Sequence, residues 1–211
     1  MDDCCSNKSC EIEQLAHRTE QRRVLRIVLV INAVMFFVEL VAGIAASSTA
    51  LLADSVDMFG DAAVYALSLY ALERGLRWRA GAALAKGVLI FGFGVWVLAE
   101  VALKIVYGVT PIASIMVGIG SLALIANVTC LALLWQFRRQ DVNMSSTFEC
   151  SRNDVIANVG VLVAAAAVWL FQSGWPDILV GLVIALLFLR SASRVVREAW
   201  PQFRSPDLQA S

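Results

Sequence analysis

Asp54, Asp57 and Asp61 lie inside a stretch that otherwise reads as a membrane helix. Far along the chain, Cys150 and Asp154 stand four residues apart in a second such stretch. A charged side chain in a membrane span costs roughly 2.5–3.5 kcal/mol. Three acids in one span therefore argue for a function and against a packing role. On a helix, residues at i, i+3, i+4 and i+7 share a face. Asp54, Asp57 and Asp61 fall at i, i+3 and i+7, and Cys150, Asp154 and Asn158 at i, i+4 and i+8. Two facing helices can thus present Asp57, Asp61, Cys150 and Asp154 to one point. Oxygen and sulfur donors in that number suit tetrahedral Zn²⁺ or Cd²⁺. Ca²⁺ and Mg²⁺ want more oxygens and no sulfur. The thiol turns preference toward softer ions such as Cd²⁺ and away from Mn²⁺.

The same donors suggest a coupling mechanism. A metal binds carboxylate and thiolate, so protons leave as metal enters. Acids in an apolar setting tend to hold protons. Metal and protons then compete for one site, and a site that faces the two sides in turn gives metal–proton antiport.

Other polar groups have simpler readings. Asp54 reads equally as a cap for the second helix or as support for the metal ligands. Glu39, Asn32, Asn127 and Asn158 read as interhelical hydrogen-bonding groups or as groups supporting the ligands, with a relay the alternative. Cys130 reads as a small apolar filler. Glu100 and Lys104 are spaced as an i,i+4 pair, and Arg152 is expected to point away from the Cys150–Asp154 face. Cys4, Cys5 and Cys10, near Asp2 and Asp3, read either as a metal-capture arm or as idle thiols. The lone histidine, His17, reads as solvated.

The elements that would position these groups are apolar segments. Of the 211 residues 59% are hydrophobic, against about 45–50% in soluble domains. Mean hydropathy is +0.73. Six segments approach the ~20 residues that a bilayer requires. They run over 24–46, 50–72, 80–106, 112–137, 142–171 and 175–196. Pro176 and Asp177 suit the first turn of the sixth helix. No cleavable leader is expected, because the first residues are polar. The five Cys, three of them crowded near the start, do not read as a disulfide framework. With the N-terminus in the cytoplasm, all of the 17 Lys and Arg except Lys104 fall on or beside inside segments. The positive-inside rule then predicts six spans with both ends cytoplasmic. Residues 1–23 are expected to form a cytoplasmic, Cys-containing tail, 24–198 the six-helix domain and 199–211 a short cytoplasmic tail.

Two stretches carry a family resemblance. Ser48 through Asp61, SSTALLADSVDMFGD without its first serine, resembles the second-helix signature of the cation diffusion facilitator family. Cys150-Ser151-Arg152-Asn153-Asp154 through Val161 resembles the fifth. Trp175 through Glu198 is similar to the sixth helix and Asn32 through Glu39 to the first. The resemblance implies an all-α integral membrane protein, a bundle of six transmembrane helices that exports divalent metal by proton antiport. It implies a metal site of Asp57, Asp61, Cys150 and Asp154, and a homodimer. Many members carry His where Cys150 stands, so the transported ion is expected to be Zn²⁺ or Cd²⁺, with Hg²⁺ or Pb²⁺ further options. The C-terminal cytoplasmic domain usual in the family has no counterpart here, so pairing of two copies would use membrane helices. The His-rich loop of zinc-exporting relatives has none either, and the N-terminal Cys cluster is a candidate replacement. No prosthetic group or nucleic-acid partner is expected. The bilayer would be a bacterial-type inner membrane.

Two other classes share some of these residues. An intramembrane aspartyl protease needs paired acids and a GxGD motif; Phe59-Gly60-Asp61 lacks the first Gly, and Cys150 would have no role. The chain therefore does not read as an enzyme. A metal-binding membrane sensor or scaffold would share the site but show no flux.

Overall fold

A computed structural model describes residues 3–71, 76–138 and 142–204. Within its helices some side chains lie outside the described set, among them those of Cys4, Cys5, Cys10, His17, Glu149 and Cys150. Six helices follow in order: α1 Asp3–Ala46, α2 Thr49–Ala71, α3 Leu76–Tyr107, α4 Ala113–Trp135, α5 Val142–Phe171 and α6 Trp175–Arg204. Within a bilayer a helix satisfies its own backbone polar groups, and these apolar runs leave no strand among the described residues. The chain is an integral membrane protein. Segments of α1, α3, α4 and α5 are each long and apolar enough to cross a membrane. α2 is as long as α4, but its three Asp set it apart by composition. Helix α1 begins earlier than the apolar pattern predicts and continues through the polar N-terminal residues to Asp3.

Three helix pairs build the bundle: α1 with α2, α4 with α5, and α3 with α6. α2 touches α1, α3, α5 and α6. Residues 49–58 of α2 are consequently all buried, whatever their direction. This central position explains how one helix can carry three acids, because none faces lipid. The opposite case is α1, where Val30, Val34, Phe37, Val41 and Ile44 form an exposed stripe at helical spacing. Such a stripe suits lipid contact. Aromatics mark both ends of the bundle, with Tyr107, Trp169, Phe171 and Trp175 exposed at one and Trp135 and Trp200 at the other. Trp and Tyr favour membrane–water boundaries.

The α1–α2 turn is fixed by its own backbone. Ser47 adopts a left-handed φ of 50°. The Ser48 N–H donates to Gly43 O at 2.9 Å and the Ser47 N–H to Ile44 O at 3.1 Å, the Schellman pattern of a helix end. Ser48 then caps α2, its Oγ accepting from Leu51 N–H at 3.1 Å. At the same end of the bundle the Ile112 N–H donates to Ala46 O at 2.9 Å.

Helix α6 meets α2 here with no room to spare. A Cβ on Gly181 would stand 2.7 Å from the Thr49 carbonyl carbon and 2.8 Å from its oxygen. The obstacle is backbone held by caps, so it cannot yield cheaply. Gly181→Ala is expected to lower stability by about 1–3 kcal/mol, read as a fall in apparent melting temperature in detergent.

Candidate metal centre

α2 brings Asp57 and Asp61 to one face, and α5 brings Asp154 opposite them. One carboxylate oxygen from each lies within 4.8 Å of the others. All three residues are buried. Unit charges 4.8 Å apart repel by about 3 kcal/mol at an effective dielectric constant near 20. The cluster therefore needs either protons or a cation among its oxygens. Oxygens around tetrahedral Zn²⁺ stand roughly 3.4 Å apart for Zn–O near 2.1 Å, a small closure from the arrangement seen.

Cys150 lies one turn before Asp154 on α5, as the spacing predicts, and its side chain falls outside the described residues. The side chains of Cys4, Cys5 and Cys10 do so as well. Asp54 is not a helix cap: Ser48 and Asp177 occupy the start of α2. It accepts instead from Asn158 Nδ2 at 3.3 Å, linking α2 to α5. The same amide donates to the Asp154 backbone carbonyl at 3.0 Å. Asn158 thus bridges α2 and α5, the two helices that carry the three carboxylates.

Tyr65 was not singled out by the sequence reading. Its hydroxyl donates to Asp61 Oδ2 at 2.7 Å and orients that carboxylate. The i,i+4 spacing from Asp61 was the available signal. Asn32 donates to Val28 O at 2.9 Å and lies 3.8 Å from the buried Cys130 Sγ, so it joins α1 to α4. Arg152 is exposed, as predicted.

A cavity of about 830 Å³ reaches the three carboxylates from between α2, α3, α5 and α6. Its walls include Asn153, Leu187 and Phe188, and along α6 they run from Leu179 to Ala192. Most of its lining therefore lies away from the α1–α2 turn, but Leu179, two residues past Asp177, lines it too; at the turn itself hydrogen bonds tie the helix ends together and close them.

The closure has a charged centre. Asp177 is fully buried, and both its carboxylate oxygens serve α2. Thr49 N–H donates to Oδ2 at 2.7 Å and Ala50 N–H to Oδ1 at 3.0 Å. The hydroxyls of Ser48 and Thr49 donate at 2.6 and 2.7 Å. Lys104 of α3 lies 3.8 Å from Asp177 Oδ2 and donates to Ser47 O at 2.6 Å. Asp177 lies in the first turn of its own helix and Lys104 beside Glu100, as the sequence predicts; in addition, Asp177 of α6 caps α2, and Lys104 of α3 ties down the carbonyl of the turn before it.

A buried three-carboxylate cluster inside a bundle of membrane helices defines a polytopic membrane protein with a candidate cation site at its core. The chain matches the model of the cation efflux transmembrane domain over residues 25–202. It belongs to that family, the cation diffusion facilitators. It is 23% identical to the metal cation efflux system protein CzcD of Cupriavidus metallidurans, over 88% of this chain and 65% of that protein. The cation efflux system protein CzcD of an Alcaligenes species is matched to the same extent. The chain spans a little under two-thirds of the length of these relatives.

Proposed function

We propose that this protein exports divalent metal, Zn²⁺ or Cd²⁺, from the cytoplasm in exchange for protons. The observation that carries the reading is the convergence of Asp57, Asp61 and Asp154 within 4.8 Å in the buried centre of the bundle. Cys150, one turn from Asp154, supplies the fourth donor. The metal is cargo. It enters through the cavity, which on this reading faces the cytoplasm, while the Asp177–Lys104 closure seals the outer end. Binding needs ionised carboxylates and a thiolate, so each arriving metal displaces protons. When the site faces outward, protons retake the donors and release the ion. The charge distribution, with Lys104 alone at the outer end, supports cytoplasmic termini in an inner membrane. Two copies pair through membrane helices, which rests on the family resemblance and is checked by crosslinking in native membranes. The Cys4, Cys5 and Cys10 thiols gather metal at the entrance.

The thiol makes the reading testable. Cys150→His is expected to retain transport and to raise the Zn²⁺:Cd²⁺ rate ratio by about tenfold, because imidazole is the harder donor. Relative initial rates of the two ions in proteoliposomes measure this. An unchanged ratio would remove Cys150 from the ligand set.

A further inference from the structure

Glu39 of α1 is fully buried, and neither of its carboxylate oxygens has a hydrogen-bond donor. Asp54 Oδ2 and Asn158 Oδ1, on two neighbouring helices, are likewise buried without a donor. All four atoms are acceptors. Burying a carboxylate without compensation costs several kcal/mol, and buried polar groups are almost always paired. An unpaired set made only of oxygens is satisfied by a shared cation or by protons on its carboxyls.

The depths of these groups follow from the α1–α2 hairpin. Glu39 is seven residues before the end of α1, about 10 Å below the turn at 1.5 Å per residue. Asp54 and Asp57 are five and eight residues into α2, about 8 and 12 Å below it. Glu39 thus stands between them in height, and both are its charged neighbours. Asp61 lies a further turn away from the turn end. Asn158 touches both levels, through Asp54 Oδ1 and the Asp154 carbonyl.

We propose that Glu39, Asp54 and the Asn158 carbonyl oxygen form a second cation station, adjoining the three-Asp centre on the side of the α1–α2 turn. Its two carboxylates neutralise one divalent ion, and its donors are all oxygen. The inference rests on the transport reading above. It gives the cargo a stepping point between the thiol-containing centre and the closed outer end, and the loss of sulfur there weakens its hold on a soft ion before release.

The test is a count of bound metal. Full-length protein with Cys4, Cys5 and Cys10 changed to Ser, so that the tail adds nothing, is placed in nanodiscs and titrated with ¹⁰⁹Cd²⁺ by equilibrium dialysis. Two ions per protomer are expected. Glu39→Gln is expected to bind one, and the ion it retains reports an intact fold. Asp54→Asn gives a second, independent removal of the same station. A single ion in the parent protein, or a count unchanged by both variants, would overturn the proposal and leave a carboxyl pair holding protons only. Asp61→Asn separates the two readings: it is expected to remove the other ion. If it removed none, the three-Asp centre would fail as the cargo site, whereas the Glu39 and Asp54 arms would still decide the station.

Discussion

Asp61→Ala is expected to abolish metal flux. The substitution removes one of the three converging oxygens and the acceptor that Tyr65 reaches at 2.7 Å. Changes to groups that merely support a metal ligand lower affinity by about 10–100-fold. Loss of a ligand should exceed that, so transport should fall by about 100-fold or more. The lost Tyr65 contact is a separate effect, with a cost of about 1–3 kcal/mol for a buried hydroxyl left without that acceptor. Asp61→Asn distinguishes the two. The amide oxygen still accepts from Tyr65, but the ligand charge is gone. Both variants should be inactive in ⁶⁵Zn²⁺ or ¹⁰⁹Cd²⁺ uptake, and the Asn variant should melt closer to wild type. Flux retained by the Asn variant would show that Asp61 orients the helix and does not bind the ion.

Asp177→Ala is expected to be the most destabilising single change at the closed end. It strips α2 of the acceptor for the Thr49 and Ala50 N–H groups and leaves the buried Lys104 ammonium without its carboxylate. Removing one partner of a buried ion pair costs about 3–5 kcal/mol. For a chain of this size that corresponds to an apparent melting temperature lower by about 10 °C. Lys104→Met in the same background should recover part of the loss, because it removes the stranded charge. If the double variant is no more stable than Asp177→Ala, the capping of α2, and not the ion pair, carries the effect.

The residues differ in how readily their roles are read from sequence. Helix positions follow from apolar runs, and the observed ends of α2 to α5 fall within a few residues of those runs. α1 departs because nothing apolar marks its first turns. The facing of α2 and α5 is also legible, since carboxylates in apolar sequence have few reasons to exist and helical phase groups Asp57 with Asp61. Asp177 shows the limit. Its partners Thr49 and Ala50 lie 128 and 127 residues away in sequence. Its position in the first turn of α6 is as expected, and that local explanation gave no reason to look for partners on α2. Lys104 shows the same limit: Glu100, near in sequence, is its neighbour as expected, whereas Asp177 is near it only in space. Glu39 read as one hydrogen-bonding group among several. Its isolation from donors is a property of the packed bundle, which no spacing encodes.

The proposed site exchanges metal for protons across the membrane. It is tested most directly by recording metal and proton movement together in proteoliposomes under an imposed pH gradient. Cd²⁺ or Zn²⁺ should move against the proton flow, and both currents should vanish in Asp61→Ala. Metal that binds without moving would contradict transport and favour a sensor or scaffold; proton movement that continues in the absence of metal would contradict exchange.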